Sequence, residues 1–181
     1  LRVDPPRLPA VMALSAVGEE WRVKYASPGS GPAGRVSVRA TTPGVLIVQG
    51  GTDDPAACRQ ALLRWLRRRA RTAFTTRLQT LADEHGLQCD RVSVRMQRSR
   101  WGSCSRRGTI SLNLRLLFLA PALLDYVLLH ELCHTVEMNH SSRFWRRLES
   151  CLPGARSCRD RLRSAGDVIP TWVDHPLADV R

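Results

Sequence analysis

Apolar and polar residues change period several times along the chain, and each change marks an element. From Pro55 to about His85, apolar side chains recur at Leu62, Trp65, Leu66, Ala70, Ala73, Phe74, Leu78 and Leu81, the spacing of one helix face. That predicts a long amphipathic helix after the acidic start at Asp53 and Asp54, ended by Gly86. Its other face carries Arg64, Arg67, Arg68 and Arg71, a run that is usually a solvated helix face, with phosphate binding as the alternative. Residues 91–97 alternate at Val92, Val94 and Met96; residues 109–114 set Ile110, Leu112 and Leu114 against Thr109, Ser111 and Asn113. A period of two reads as a strand in both places. The segment between them, SRWGSCSRRG, has tight backbone at Gly102 and Gly108.

Upstream, residues 21–26, 35–40 and 44–48 are short runs rich in β-branched side chains and predict a small antiparallel meander. The Gly/Pro-rich loop 28–34 is expected to be mobile, and the Pro-rich residues 1–20 a loosely packed extension. Pro121 opens a second helix, Ser141 is a good N-cap for a third through about Cys151, and a basic helix spans about 155–164. The tail 166–181 is broken by proline, with His175 expected at the surface. The fold class is α+β. The expected organisation is an extension (1–20), one domain (21–165, a β-meander at 21–50 and a core at 55–165), and a tail (166–181).

Candidate chemistry sits on the second helix. Residues 123–145 read LLDYVLLHELCHTVEMNHSSRFW, with helical periodicity at Leu124, Val127, Leu128, Leu132 and Val136. Residues four apart on a helix differ by about 40° in azimuth, so His130 and His134 project from one face and can converge on one ion. Glu131 lies about 100° round from His130, beside that ion, where a carboxylate can take a proton from water. A third ligand is available at His140, past a turn at Met138 and Asn139, and Glu149 on the following helix is the carboxylate alternative. Zn²⁺, one per chain, suits such a set. The metzincin variant is excluded: its turn glycine would fall at Glu137, and no methionine follows His140. Cys133 faces away from both helical ligands and is not expected to bind the metal.

Composition adjusts this picture only slightly. The net charge of +12 would suit an acidic partner, but of the 28 basic residues only Lys24 is a lysine, and such one-sided arginine usage can reflect codon bias. Six cysteines without a CxxC argue against a zinc ribbon or a dense disulfide scaffold and read as reduced thiols. The least polar stretch, residues 112–132, is interrupted by Arg115, Pro121 and Asp125, and no charged-then-apolar leader opens the chain. The expectation is a cytoplasmic monomer with no membrane contact, although a start without Met leaves an upstream targeting segment open.

The blocks QRSRWGSCSRRGTISLNLRL and DYVLLHELCHTVEMNHSSRFW together resemble the YgjP-like zinc metallopeptidases, relatives of the WLM and SprT-type proteases. The resemblance spans roughly residues 21–164. It implies a zincin-like core, a small antiparallel sheet packed on the HExxH helix and the long helix, behind the β-meander. It also implies His130, His134 and His140 as zinc ligands, Glu131 as catalytic base, and a peptide or unfolded protein as substrate. A zincin holds its peptide against an edge strand, and the strand bearing Thr109, Ser111 and Asn113 is the candidate. Arg143 and Tyr126 are candidates for a second oxyanion donor, while Trp101 and Cys104 are expected to hold the turn before the substrate strand. Two other readings stay open: a DNA-associated SprT/WLM-type protease binding nucleic acid through its arginine-rich surface, and a metal-dependent nucleotide hydrolase or a binding protein with a vestigial site. No residue is assigned to nucleic acid, no nucleic-acid module is visible, and no GxxxxGK[ST] loop occurs.

Overall fold

The structure is a computed structural model that describes residues 7–27, 35–97 and 99–174. The start of the Pro-rich extension, the 28–34 loop and His175 with the rest of the tail lie outside the described residues. Two compact units are distinguished.

The first unit takes the described residues up to Leu14, Gly18–Leu66, and those from Ile169 onward. Its sheet contains β1 (Val11–Leu14), β2 (Glu19–Tyr25), β3 (Ser37–Thr42) and β4 (Val45–Gln49) in the order β1-β2-β4-β3. The predicted antiparallel meander is corrected in two ways. β4 inserts between β2 and β3 and runs parallel to β2. The reason is composition: β4 is the most apolar strand, with Leu46 and Val48 fully buried, so it takes an interior position, while polar β3 (SVRATT) takes the edge. The extension also contributes more than a loose tail, since β1 pairs with β2 and buries Met12 and Leu14. Helix α1 (Pro55–His85) begins here, its first N–H groups accepted by the Asp54 carboxylate at 2.9 and 3.0 Å. The tail adds a helical turn, Thr171–Asp174, that buries Trp172 and Val173. The buried Arg59 guanidinium donates to the carbonyls of both residues, satisfying backbone groups that the turn leaves over.

The second unit, Ser15–Val17 with Arg67–Val168, carries the candidate chemistry. Most of α1 belongs to it and ends at Gly86, whose φ of +63° suits a residue without Cβ. Strands β5 (Arg91–Arg95), β6 (Gly102–Cys104) and β7 (Thr109–Asn113) form a sheet in the order β5-β7-β6. β7 pairs parallel with β5 and antiparallel with β6, so the sheet is mixed. The strand predicted to lie at the edge is therefore the central one. Ile110, Leu112 and Asn113 are buried in it, and the edges fall to more exposed β5 and to the glycine-led β6.

Helix α2 (Pro121–Cys133) is apolar on nearly every side, and nine of its side chains are buried, as befits the central helix of a unit. Pro121 stands at its first turn, as expected. Arg77 on α1 clamps it through a two-pronged ion pair to Asp125, with both N–O distances 2.8 Å. Helices α3 (Ser142–Cys151) and α4 (Ala155–Arg163) follow. Val136, counted above in the helical stripe, lies past the end of α2 and is half exposed. Among the described residues, no helix is long and apolar enough to cross a membrane.

Candidate metal centre

The last turn of α2 carries His130 and Glu131, and His134 caps it in helical geometry (φ −67°, ψ −17°). The chain then turns through residues 135–139 and returns His140 to the same point. The Nε2 atoms of His130, His134 and His140 lie 3.2, 3.2 and 2.9 Å from one another. Three neutral imidazoles cannot satisfy one another at that spacing, because most of these contacts set lone pair against lone pair. A cation resolves the conflict: tetrahedral zinc with nitrogens at 2.0–2.1 Å holds them about 3.3 Å apart. The donor set and its spacing thus fit a zinc ion, and these are the groups among the described residues that converge in this way.

The surroundings keep the imidazoles in place. The His134 Nδ1 lies 2.9 Å from the Glu137 carbonyl, which holds the proton on Nδ1 and leaves the Nε2 lone pair for a metal. Phe144, fixed in the first turn of α3 by the Ser141 cap, stacks on His134 at 4.5 Å and meets the His130 ring edge-on at 4.9 Å. Trp145 lies against His140 at 6.1 Å and itself receives Arg159 over its face. Burial, reinforced by His134, His140 and Arg159, pushes the His130 pKa down to about 3; burial within the cluster, His134 and Arg159 also lower that of His140. Both therefore stay neutral at ordinary pH, the form in which an imidazole can bind a metal.

Glu131 is 5% exposed, and its Oε2 has no hydrogen-bond partner among the described residues. Burial pushes its carboxyl up to about 7 against the opposing pull of Arg100. A cation on the neighbouring imidazoles would draw it down again. A cleft of about 190 Å³ opens on this carboxylate, lined by Trp101, Gly102, Tyr126, Val127, His130, Glu131 and Leu162. Gly102 on β6 approaches so closely that a Cβ there would lie 2.7 Å from Glu131 Oε1 and 2.8 Å from its Cγ.

Other predicted residues fall elsewhere. Asn113 is 3% exposed and fully occupied: its Nδ2 donates to the Gln97 and Arg100 carbonyls at 2.7 and 2.9 Å, and its Oδ1 accepts from Arg115 N–H at 3.1 Å. The Ser111 hydroxyl pairs with Ser93 at 2.8 Å, and Thr109 N–H donates to Ser105 Oγ at 3.2 Å. With β7 bonded on both sides, this trio cannot offer a free edge to a peptide. Glu149 accepts from Gly154 N–H at 2.8 Å and stands outside the histidine cluster, as does the buried Cys133. Of the two oxyanion candidates, Tyr126 lines the cleft, while Arg143 pairs with Glu137 at 3.0 Å. Trp101 is a cleft wall as well as part of a turn. Gly102, Leu162 and Arg100 are the neighbours of the site that periodicity did not reveal; the glycine in the RWGSC block was the available signal.

No curated protein matches the sequence. Among solved structures, abylysin, a metallopeptidase zymogen of Pyrococcus abyssi, is 32% identical, covering 50% of this chain and 92% of its own, with a TM-score of 0.47. The metallopeptidase zymogen jannalysin of Methanocaldococcus jannaschii is 19% identical, covering 53% and 97%, with a TM-score of 0.45. Wss1 of Saccharomyces cerevisiae is 21% identical, covering 49% and 76%, with a TM-score of 0.40. All three scores fall below 0.5, so the assignment rests on sequence. The YgjP-like, metallopeptidase domain family matches residues 9–165, most of this 181-residue chain, which therefore belongs to that family.

Proposed function

We propose that the chain is a zinc-dependent peptidase, with His130, His134 and His140 holding the metal and Glu131 acting as the base. The observation that carries this is the meeting of three Nε2 atoms within 3.2 Å beside a buried carboxylate at the head of a cleft. Zinc bound there would act as a Lewis acid on the scissile carbonyl and make water acidic enough to ionise near neutrality. Glu131 takes the proton from the attacking water and delivers it to the leaving amine. Tyr126, a residue of the cleft wall, is our candidate for the donor to the developing oxyanion.

An extended peptide would pair with β6. Trp101 O accepts from Asn113 N–H and Ser105 N–H donates to Thr109 O, so the odd residues of this segment face β7. Strand alternation then turns the N–H and C=O groups of Gly102 and Cys104 outward. Main-chain pairing at that edge binds a peptide with little regard to sequence.

Gly102 has a second task, since its missing side chain is the space the base occupies. Gly102→Ala is expected to lower kcat by about 10²-fold, the usual cost of displacing a reacting group by an ångström, with zinc content unchanged. Steady-state kinetics and metal analysis of that variant check this, and an unaltered kcat would show that Glu131 needs no such clearance.

The test of the reading as a whole is turnover of unfolded casein by the zinc-loaded chain, with and without single-stranded DNA, beside hydrolysis of a nucleoside triphosphate. Chelator-sensitive casein cleavage, indifferent to DNA, is the expected result. Stimulation by DNA that falls steeply with salt would favour the DNA-associated protease. Triphosphate hydrolysis without proteolysis would replace the peptidase reading.

A further inference from the structure

His130 and His134 are set one turn apart by α2, so helix geometry fixes their spacing. His140 has no such support, because it reaches the cluster from the turn between α2 and α3. Its ring meets Phe144 edge-on at 4.8 Å, but Met138, Asn139 and His140 are all exposed, so little of the turn itself is packed. Its backbone is tied at the two ends: Glu137 N–H donates to the Cys133 carbonyl at 2.9 Å, and Ser141 N–H to the Asn139 carbonyl at 2.8 Å.

An ion pair brackets this turn. Arg143 Nη2 lies 3.0 Å from Glu137 Oε1, joining the residue three before His140 to the residue three after it. Arg143 stands in the first turn of α3, behind the Ser141 cap, and so is itself anchored. Glu137 has a second link to the cluster, since its carbonyl accepts from His134 Nδ1 at 2.9 Å. One closure therefore bears on two ligands, on His134 through the Glu137 main chain and on His140 through the turn it shuts. Arg146 and Arg147, spaced with Arg143 along one face of α3, line the same hollow of about 390 Å³ beside Glu137. Among the described residues, the carboxylate pairs with Arg143 and with neither of them. The Glu137 side chain is 18% exposed and that of Arg143 75%, so the pair stands between a surface ion pair and a buried one.

We infer that the Glu137–Arg143 ion pair is a clasp that positions His140 against His134 for the metal. Both are positioning residues, in contact with neither metal nor peptide. This rests on the zinc-site reading above and deepens it by naming what holds the third ligand. Charge alone predicts the opposite behaviour. A cation on the three histidines is repelled by Arg143, so an arginine acting only through its field would weaken zinc binding, and its removal would strengthen it. A clasp reverses the sign, because without it the turn must be ordered when the metal binds.

The test is a competition for zinc between a chromophoric chelator and the unchanged chain, Arg143→Gln, Arg143→Lys, Glu137→Gln and Arg146→Gln, at low salt and in 1 M salt. Arg143→Gln and Glu137→Gln are expected to weaken zinc binding by about three- to tenfold, between the effect of an exposed ion pair and that of a group orienting a metal ligand. Arg143→Lys, which keeps the charge, should recover most of the loss. Arg146→Gln removes the same charge from the same hollow and should bind zinc no more weakly than the unchanged chain. The gap between the unchanged chain and Arg143→Gln should narrow in 1 M salt. Metal-free melting temperatures should agree across the set, and a fall that tracks the loss of zinc would make the pair a general support of the fold and overturn the clasp. Equal or tighter zinc binding by Arg143→Gln overturns it too, as does equal weakening by Arg146→Gln, and each leaves the metal site standing. No zinc on the unchanged chain brings down the metal site itself and the clasp with it.

Discussion

Exchanging Glu131 for Gln is expected to lower peptide hydrolysis by about 10²–10⁴-fold, the usual contribution of a positioned general base, while zinc remains at one per chain. The amide has nearly the volume of the carboxyl, so the cleft walls at Trp101, Gly102 and Tyr126 keep their places. It cannot take a proton from water. The exchange also removes no structural bond at Oε2, which has no partner among the described residues. Thermal stability should hold or rise, because burial already disfavours the charged form of this carboxyl. Turnover, metal analysis and a melting curve on one preparation check all three points. Undiminished turnover would remove Glu131 from its role even if the metal stayed.

The second large effect is expected at His134. Its Nε2 lies 3.2 Å from the Nε2 atoms of His130 and His140, its Nδ1 is held by the Glu137 carbonyl, and its ring is stacked on Phe144. His134→Ala should therefore cost both a ligand and the order of the other two, so that zinc is lost on dialysis and turnover falls to background. His140→Ala should lose metal too, although His140 sits on an exposed turn and contributes less to packing. Metal analysis separates the cases. Full zinc occupancy in His140→Ala would pass the third-ligand role to another group, and Glu149, engaged with Gly154, would have to swing out to take it.

The helices were legible because the chain punctuates them: Asp54 before α1, Gly86 after it, Pro121 at the start of α2 and Ser141 before α3 stand where the caps are observed. The histidine and glutamate spacing was legible for the same reason, since helix geometry alone fixes which side chains share a face. Strand order was not. Alternation shows which face of Thr109–Asn113 is buried but carries no sign of whether neighbours flank it on one side or two. β1 was hidden because its alternation lasts only four residues and follows a run of prolines. Gly102 meets Glu131 only through long-range packing. Asn113, read as a residue that touches substrate, instead ties the loop before β6 to Arg115 in the turn after β7.

The most direct measurement is a zinc titration of the chelator-stripped chain, following casein cleavage and bound metal together. The account predicts no cleavage without metal, and activity that rises linearly and stops at one zinc per chain. Cleavage that persists after stripping, or one zinc bound with casein left uncut, would contradict it.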